Sequence, residues 1–207
     1  MAKITKSSRR WLDEHFADEF VQRARQEGYR GRAVYKLQEL DQRYQLFRPG
    51  MTVVDLGAAP GSWSEYLSRR FDGRVKVVAS DILPMDALPD VEFIQGDFTE
   101  ESVLQAILNT LGDRRADFVI SDMAPNMSGN AVVDTPRAMY LAELALDMAE
   151  QVLVRDGGYL VKLFQGEGFD DYCRLLRQKF SSLQVRKPKA SRPRSREVYA
   201  LARGFKL

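Results

Sequence analysis

The chain has almost no cysteine or histidine: Cys173 and His15 are the only ones in 207 residues. A lone cysteine cannot close an internal disulfide, and no Cys/His cluster has the spacing of a zinc site, so no structural metal is expected. Long apolar runs are missing too, with no stretch of about 18 residues that would cross a bilayer. The opening Met1-Ala2-Lys3-Ile4-Thr5-Lys6 is charged and lacks the apolar core of a secretory signal. The reading is a cytoplasmic chain without membrane contact, expected to be a monomer. Neither the GxxxxGK[ST] of a phosphate loop nor the GxGxxG of dinucleotide binders occurs. Cys173 sits in the amphipathic pattern Phe169-Tyr172-Cys173-Leu176 and reads as a small buried hydrophobe. His15 reads as a helix-surface residue.

What is present suits a globular protein. Hydrophobic residues make up 44% and charged residues 29%, with no repeat or low-complexity tract. One domain over 1–207 is expected, with residues 1–46 forming a basic helical extension packed on it. The net charge of +2 conceals an asymmetry. Residues 1–36 hold nine Lys/Arg against five Asp/Glu, and residues 186–207 hold eight against one. The body between is acidic. Basic ends that met in space would form a surface for a polyanion, and Arg192-Pro193-Arg194-Ser195-Arg196 favours nucleic acid because guanidinium groups match phosphate geometry.

The chain is organised around Val53-Val54-Asp55-Leu56-Gly57-Ala58-Ala59-Pro60-Gly61-Ser62-Trp63-Ser64, an apolar run that passes through a glycine turn into a helix. Gly57 and Gly61 let backbone approach a ligand, and the helix start offers unpaired N–H groups to an anion. S-adenosylmethionine, whose only anion is a carboxylate, fits such a cradle. A plain strand-to-helix turn needing glycine would look the same.

Around that turn, short β-branched runs alternate with helical ones. Helices are expected over Arg9–Glu27, Arg32–Leu46, Glu100–Leu111 and Phe169–Phe180, with Thr99 and Glu100 as caps of the third. Thr135-Pro136 carries the cap and first-turn signature of a long helix reaching Val154. Strands are expected over 53–56, 75–80, 91–94, 117–121, 159–164, 183–187 and 197–202, and Ala124–Asn130 reads as a loop. The fold class is α/β: a Rossmann-like, doubly wound sheet, mostly parallel with an antiparallel C-terminal strand pair and helices on both faces.

Asp55, Asp81, Asp97 and Asp122 each stand at or just beyond the C-terminal end of an expected strand, the edge where open α/β sheets bind ligands. Asp81, 24 residues after Gly57, is spaced like the acid that grips ribose hydroxyls in dinucleotide folds. Asp97 suits an adenine amino group, and Asp55 and Asp122 the methionine end with its cationic sulfonium. Trp63 packs either near that ligand or in the core. Lys162 interrupts the apolar run Tyr159-Leu160-Val161-Leu163-Phe164 and needs a buried partner, for which Asp122 is the natural candidate.

Together, Val53-Asp55-Leu56-Gly57-Ala58-Ala59-Pro60-Gly61, Ser121-Asp122-Met123-Ala124-Pro125-Asn126, Val161-Lys162 with Phe164-Gln165-Gly166-Glu167-Gly168, and Arg194-Ser195-Arg196-Glu197-Val198-Tyr199 resemble the FtsJ/RrmJ (RlmE) family of ribosomal RNA ribose 2′-O-methyltransferases. The resemblance spans the chain from Trp11 onward. It implies a catalytic constellation at Lys36, Asp122, Lys162 and Glu197, and S-adenosylmethionine contacts at Gly61, Trp63, Asp81, Asp97 and Asp122. It further implies a uridine of the A loop of bacterial 23S rRNA, modified on the assembled 50S subunit. Ser62 departs from the pattern, where relatives usually carry a second glycine. Cytosine C5 methylation would need a nucleophilic cysteine, which the position of Cys173 does not supply. Ribose methylation of transfer RNA and a non-catalytic RNA-binding assembly factor are the competing readings.

Overall fold

The computed structural model describes residues 18–207. Helices α1 (Glu19–Gln26) and α2 (Val34–Tyr44) precede β1 (Thr52–Leu56), α3 (Ser62–Phe71), β2 (Lys76–Asp81), β3 (Val91–Gln95) and α4 (Glu101–Leu111). Then come β4 (Ala116–Ser121), α5 (Ala131–Val152), β5 (Leu153–Phe164), α6 (Phe169–Lys179), β6 (Phe180–Arg186) and β7 (Glu197–Phe205). The strands form one sheet in the order β3-β2-β1-β4-β5-β7-β6. The first five are mutually parallel, and β7 runs antiparallel to both of its neighbours.

Strand alternation sorts the side chains into two cores. Val53, Val77, Phe118, Ile120, Leu160, Tyr199 and Leu201 face α1, α2 and α3, whereas Val54, Val78, Val119, Val161 and Ala200 face α4, α5 and α6. The central strands are thus apolar on both faces, as a sheet covered by helices on both sides requires. Chain order reverses beside β1, which pairs with β2 on one side and β4 on the other. The carboxyl ends of these strands therefore flank the crevice where such sheets hold ligands.

Several boundaries differ from expectation, each for a local reason. The first described helix starts at Glu19 because Asp18 accepts a hydrogen bond from the Phe20 N–H and caps it. The rest of the expected Arg9–Glu27 helix, with Trp11 and His15, lies outside the described residues. Helix α5 begins before Thr135-Pro136: Asn130 caps it by accepting from the Val132 N–H at 3.1 Å, and Pro136 lies inside the helix. Asp134 turns back to bind the loop, accepting from the backbone N–H groups of Ser128 and Gly129. Thr99 donates both its N–H and its hydroxyl to Asp97 Oδ1, and Glu100 occupies the cap position without a side-chain cap bond. Strand β5 starts at Leu153, directly after α5, with a register shift against β4 between Ala116 and Phe118. Among the described residues, no helix is long and apolar enough to cross a membrane.

Candidate active site

A cleft of about 530 Å³ opens at the carboxyl edge of β1, β2 and β4. Gly57, Ala59, Asp81, Asp97, Thr99, Asp122, Met123 and Asn126 line it, with Ile82, Leu83, Phe98 and Tyr140 as apolar wall. Gly57 has φ +72°, and a Cβ there would lie 2.1 Å from Met123 Cγ, so only glycine lets the β1 turn pass under the Met123 loop. Gly61, φ +102°, is the N-cap residue of α3, where a Cβ would strike the Arg30 guanidinium at 2.8 Å. That guanidinium ties the turn to its surroundings, donating to the carbonyl oxygens of Pro60 at 3.0 Å, Asp86 at 2.8 Å and Ala87 at 2.9 Å.

The acids at this edge have different partners. Asp81 accepts from the Ala59 N–H at 2.9 Å with Oδ2 and from the Leu83 N–H at 2.8 Å with Oδ1, so both oxygens are aimed by backbone. Asp97 binds Thr99 through Oδ1, and its other oxygen accepts no hydrogen bond among the described residues. Asp55 lies beneath the cleft and not on its wall, 1% exposed, accepting from the Ser64 hydroxyl at 2.7 Å. Burial pushes its carboxyl up to about 7; the Ser64 hydrogen bond opposes this, and the Asp122 and Asp81 charges add to it.

Asp122 stands just past β4 and meets two lysines. Lys162 Nζ lies 3.1 Å from Asp122 Oδ1 and also donates to the Asp122 carbonyl. Lys36, from α2, places Nζ 2.8 Å from Glu197 Oε1 and 3.8 Å from Asp122 Oδ1. Tyr199 joins the two halves: its hydroxyl donates to Asp122 Oδ1 at 2.6 Å and accepts from Lys36 Nζ at 2.9 Å. Lys36, Asp122, Lys162 and Glu197 thus form one network, with side chains only 7–19% exposed. Burial pulls the Asp122 carboxyl upward, but the Lys162 and Lys36 charges and the Tyr199 hydroxyl outweigh it and hold it below the usual range. Burial, with the Asp122 and Glu197 charges, raises the Tyr199 hydroxyl well above an ordinary phenol, so it stays a neutral donor.

A model of the FtsJ-like methyltransferase family matches residues 29–205. The chain belongs to this family. It is 61% identical over 208 residues to the "Ribosomal RNA large subunit methyltransferase E" of Alcanivorax borkumensis, covering 100% of both chains. It is 58% identical over 202 residues to the protein of that name from Pseudomonas fluorescens, covering 98% of this chain and 97% of the other. Among solved structures, a ribosomal RNA methyltransferase from Plasmodium falciparum aligns with TM-score 0.77 and 30% identity, over 86% of this chain and 98% of that one. Human methyltransferase-like protein 13, solved in complex with SAH, aligns with TM-score 0.57 at 14% identity over 93% of this chain and 82% of its own, which shows the shared fold.

Family membership leaves the positions of individual side chains to the fold. Asp81, Asp97, Asp122 and Gly57 line the cleft, whereas Asp55, Gly61 and Trp63 do not. Trp63 is 2% exposed, donates its indole N–H to the Ala33 carbonyl at 2.9 Å and packs on Tyr199 with ring centroids 5.8 Å apart. Ser62 is buried with its hydroxyl unpartnered, and Gly31 makes room for it: a Cβ there would come within 2.9 Å of Ser62 Oγ. Tyr199 is the member that sequence reasoning passed over. Its signal was the two-residue period of β7, which puts Glu197 and Tyr199 on one face, with Tyr199 paired to Lys162 across the sheet. Cys173 is buried in α6, and burial raises its thiol.

Proposed function

We propose that the chain methylates the ribose 2′-hydroxyl of a uridine in the A loop of bacterial 23S rRNA, using S-adenosylmethionine and acting on the assembled 50S subunit. The observation that carries this reading is the buried Lys36–Asp122–Lys162–Glu197 network beside a cleft whose wall presents two further carboxylates. The names borne by the relatives support the ribosomal substrate, and the signature motifs support the ribose hydroxyl.

The residues fit the cofactor. Asp81, pre-aimed by two backbone N–H groups, has lone pairs left for ribose hydroxyls. Asp97 has a free oxygen for an amino group, and Ile82, Leu83 and Phe98 offer apolar wall to a planar ring. Gly61 and Trp63 belong to the turn and helix beside the cleft, Asp55 lies buried beneath it, and Asp122 supplies negative charge at its wall. When bound, S-adenosylmethionine supplies an electrophilic methyl group on a cationic sulfonium.

The chain's own task is then to position and activate a hydroxyl of high pKa. Lys162 Nζ directs two of its positions at Asp122 Oδ1 and the Asp122 carbonyl, leaving a third for the substrate oxygen. As an amine it accepts the hydroxyl proton there; as an ammonium it fixes the oxygen and balances the charge that develops. Lys36 and Glu197 polarise and orient the ribose from the opposite side. The RNA is held by the basic segments, whose described parts meet: Arg32 donates to the Ala190 carbonyl, and Arg192 lies 3.9 Å from Asp18.

The test offers labelled S-adenosylmethionine with 50S particles, naked 23S rRNA and transfer RNA, followed by mapping of methylated riboses. The expected product is one 2′-O-methyluridine in the A loop, formed fastest on the particles. Labelling of transfer RNA alone would move the chain to a different substrate, and no RNA labelling would remove the enzymatic reading.

A further inference from the structure

The segment between β6 and β7 reads in sequence as an arginine-rich surface for nucleic acid, yet its middle is buried. Lys187, Lys189, Arg194 and Arg196 are exposed, whereas Ala190 is 1% and Ser191 4% exposed. The segment is fastened from several directions. The Lys189 N–H donates to Glu39 Oε2 at 2.7 Å, the Ala190 carbonyl accepts from Arg32, and Lys187 Nζ donates to the carbonyl oxygens of Pro193 at 3.0 Å and Ser195 at 2.6 Å. From this loop the Ser191 hydroxyl donates to Glu197 Oε1 at 2.7 Å, the same oxygen that receives Lys36 Nζ at 2.8 Å.

We infer that Ser191 is a positioning residue for Glu197, through which the basic loop is wired into the reacting end of the site. Resting on the ribose-methylation reading, this gives the loop a role beyond charge. A hydroxyl has one proton to donate, and here it goes to a carboxylate that also holds a lysine. With two donors on one oxygen, the Glu197 rotamer is defined from both the α2 side and the loop side. The carboxylate therefore moves when the loop moves. A polyanion seated on Lys187, Lys189, Arg194 and Arg196 presses on a segment whose buried middle is the other end of that hydrogen bond. Substrate docking and alignment of the Lys36–Glu197 pair are thereby coupled. The effect of losing Ser191 falls on turnover, since the cationic side chains that would meet RNA remain.

The test compares Ser191→Ala and Ser191→Thr in the full chain, using 50S particles and labelled S-adenosylmethionine. Ser191→Ala should lower kcat about tenfold, the size of a lost hydrogen bond to a charged group. KM for the particles and affinity for S-adenosylhomocysteine should stay within about twofold, because neither surface changes. Ser191→Thr, which keeps the hydroxyl, should restore kcat. An unchanged kcat in Ser191→Ala overturns the inference, and so does a fall in which KM and cofactor affinity collapse together. A readout independent of activity is the carbon-13 resonance of the Glu197 carboxyl, assigned by its loss in Glu197→Gln. It should move in Ser191→Ala and return in Ser191→Thr; an unmoved resonance overturns the inference. If the unaltered chain methylates no RNA, the functional reading fails, while the resonance still decides the Ser191 contact.

Discussion

Two sets of carboxylates share one sheet edge and differ in what holds them. On the β2–β3 side, Asp81 and Asp97 are aimed by neutral donors: backbone N–H groups and the Thr99 hydroxyl. On the β4–β7 side, Asp122 and Glu197 are held by the ammonium groups of Lys162 and Lys36. A carboxylate held by neutral donors keeps its charge for a ligand, whereas one paired with lysine turns that lysine into an instrument of fixed direction. The first arrangement suits binding and the second suits acting on a hydroxyl. Carboxylates gathered at one sheet edge thus have two kinds of neighbour, and the proposed division of roles rests on that difference.

The sharpest way to break this contrast is to remove the lysine from the second set. Lys162→Ala should reduce methyl transfer about 10²–10⁴-fold, the usual worth of a positioned proton-transfer or charge-balancing group. It leaves Asp81 and Asp97 intact, so calorimetric affinity for S-adenosylhomocysteine should persist. It also leaves Asp122 with less compensation in a largely buried setting, and a thermal melt should record a lower Tm. Normal turnover with normal cofactor binding would remove Lys162 from the chemistry.

The complementary change strikes the first set. Asp81→Asn puts an amide where two backbone N–H groups expect acceptors, so one donor faces another and the ligand loses a charged partner. Cofactor affinity should drop by about 10–100-fold, equivalent to roughly 1.5–3 kcal/mol. Turnover at saturating cofactor should stay close to that of the unaltered chain, since the lysine network is untouched. A loss confined to kcat would mean the two sides do not divide the work in this way.

How much of this could be read from the residues follows from the same contrast. The strand-end acids and the misplaced polarity of Lys162 were legible because strand periodicity and burial are local properties of a run. The mostly parallel sheet and the antiparallel last pair follow from the alternation of strands and helices, whereas the strand order does not, and the face shared by Glu197 and Tyr199 was passed over. Contacts made by loops were not legible. Arg30 grips three carbonyls at 3.0 Å or less that lie 30 to 57 positions away, and nothing in its neighbourhood along the chain marks it. Ser191 sits in a run whose arginines suggest a surface for nucleic acid, yet it is buried, and its loop is tied to α2 through the Lys189 N–H and Glu39. The start of α5 was misread because Asn130 and Thr135 are both competent caps, and Asp134 decides between them by binding back to Ser128 and Gly129.

Asp55 belongs to neither set, and it gives the smallest and most pH-dependent effect. Fully enclosed and hydrogen-bonded to Ser64, it has no cation beside it, and burial raises its carboxyl to about 7. Between an ordinary carboxylate value and pH 7 the folded chain therefore binds more protons at this site than the unfolded chain does. Its contribution to stability is fully present below the ordinary carboxylate value, falls as pH rises from there to 7, and is gone above it. Asp55→Asn keeps the size and an acceptor for Ser64 while removing the ionisation. At pH 5, early in that window, the variant's Tm relative to the unaltered chain should be lower than it is at pH 8. At pH 8 the variant should gain on the order of 1 kcal/mol, about 2–4 °C in Tm, after allowance for the amide's own burial cost. Equal shifts at both pH values would show that Asp55 ionises as freely in the fold as out of it.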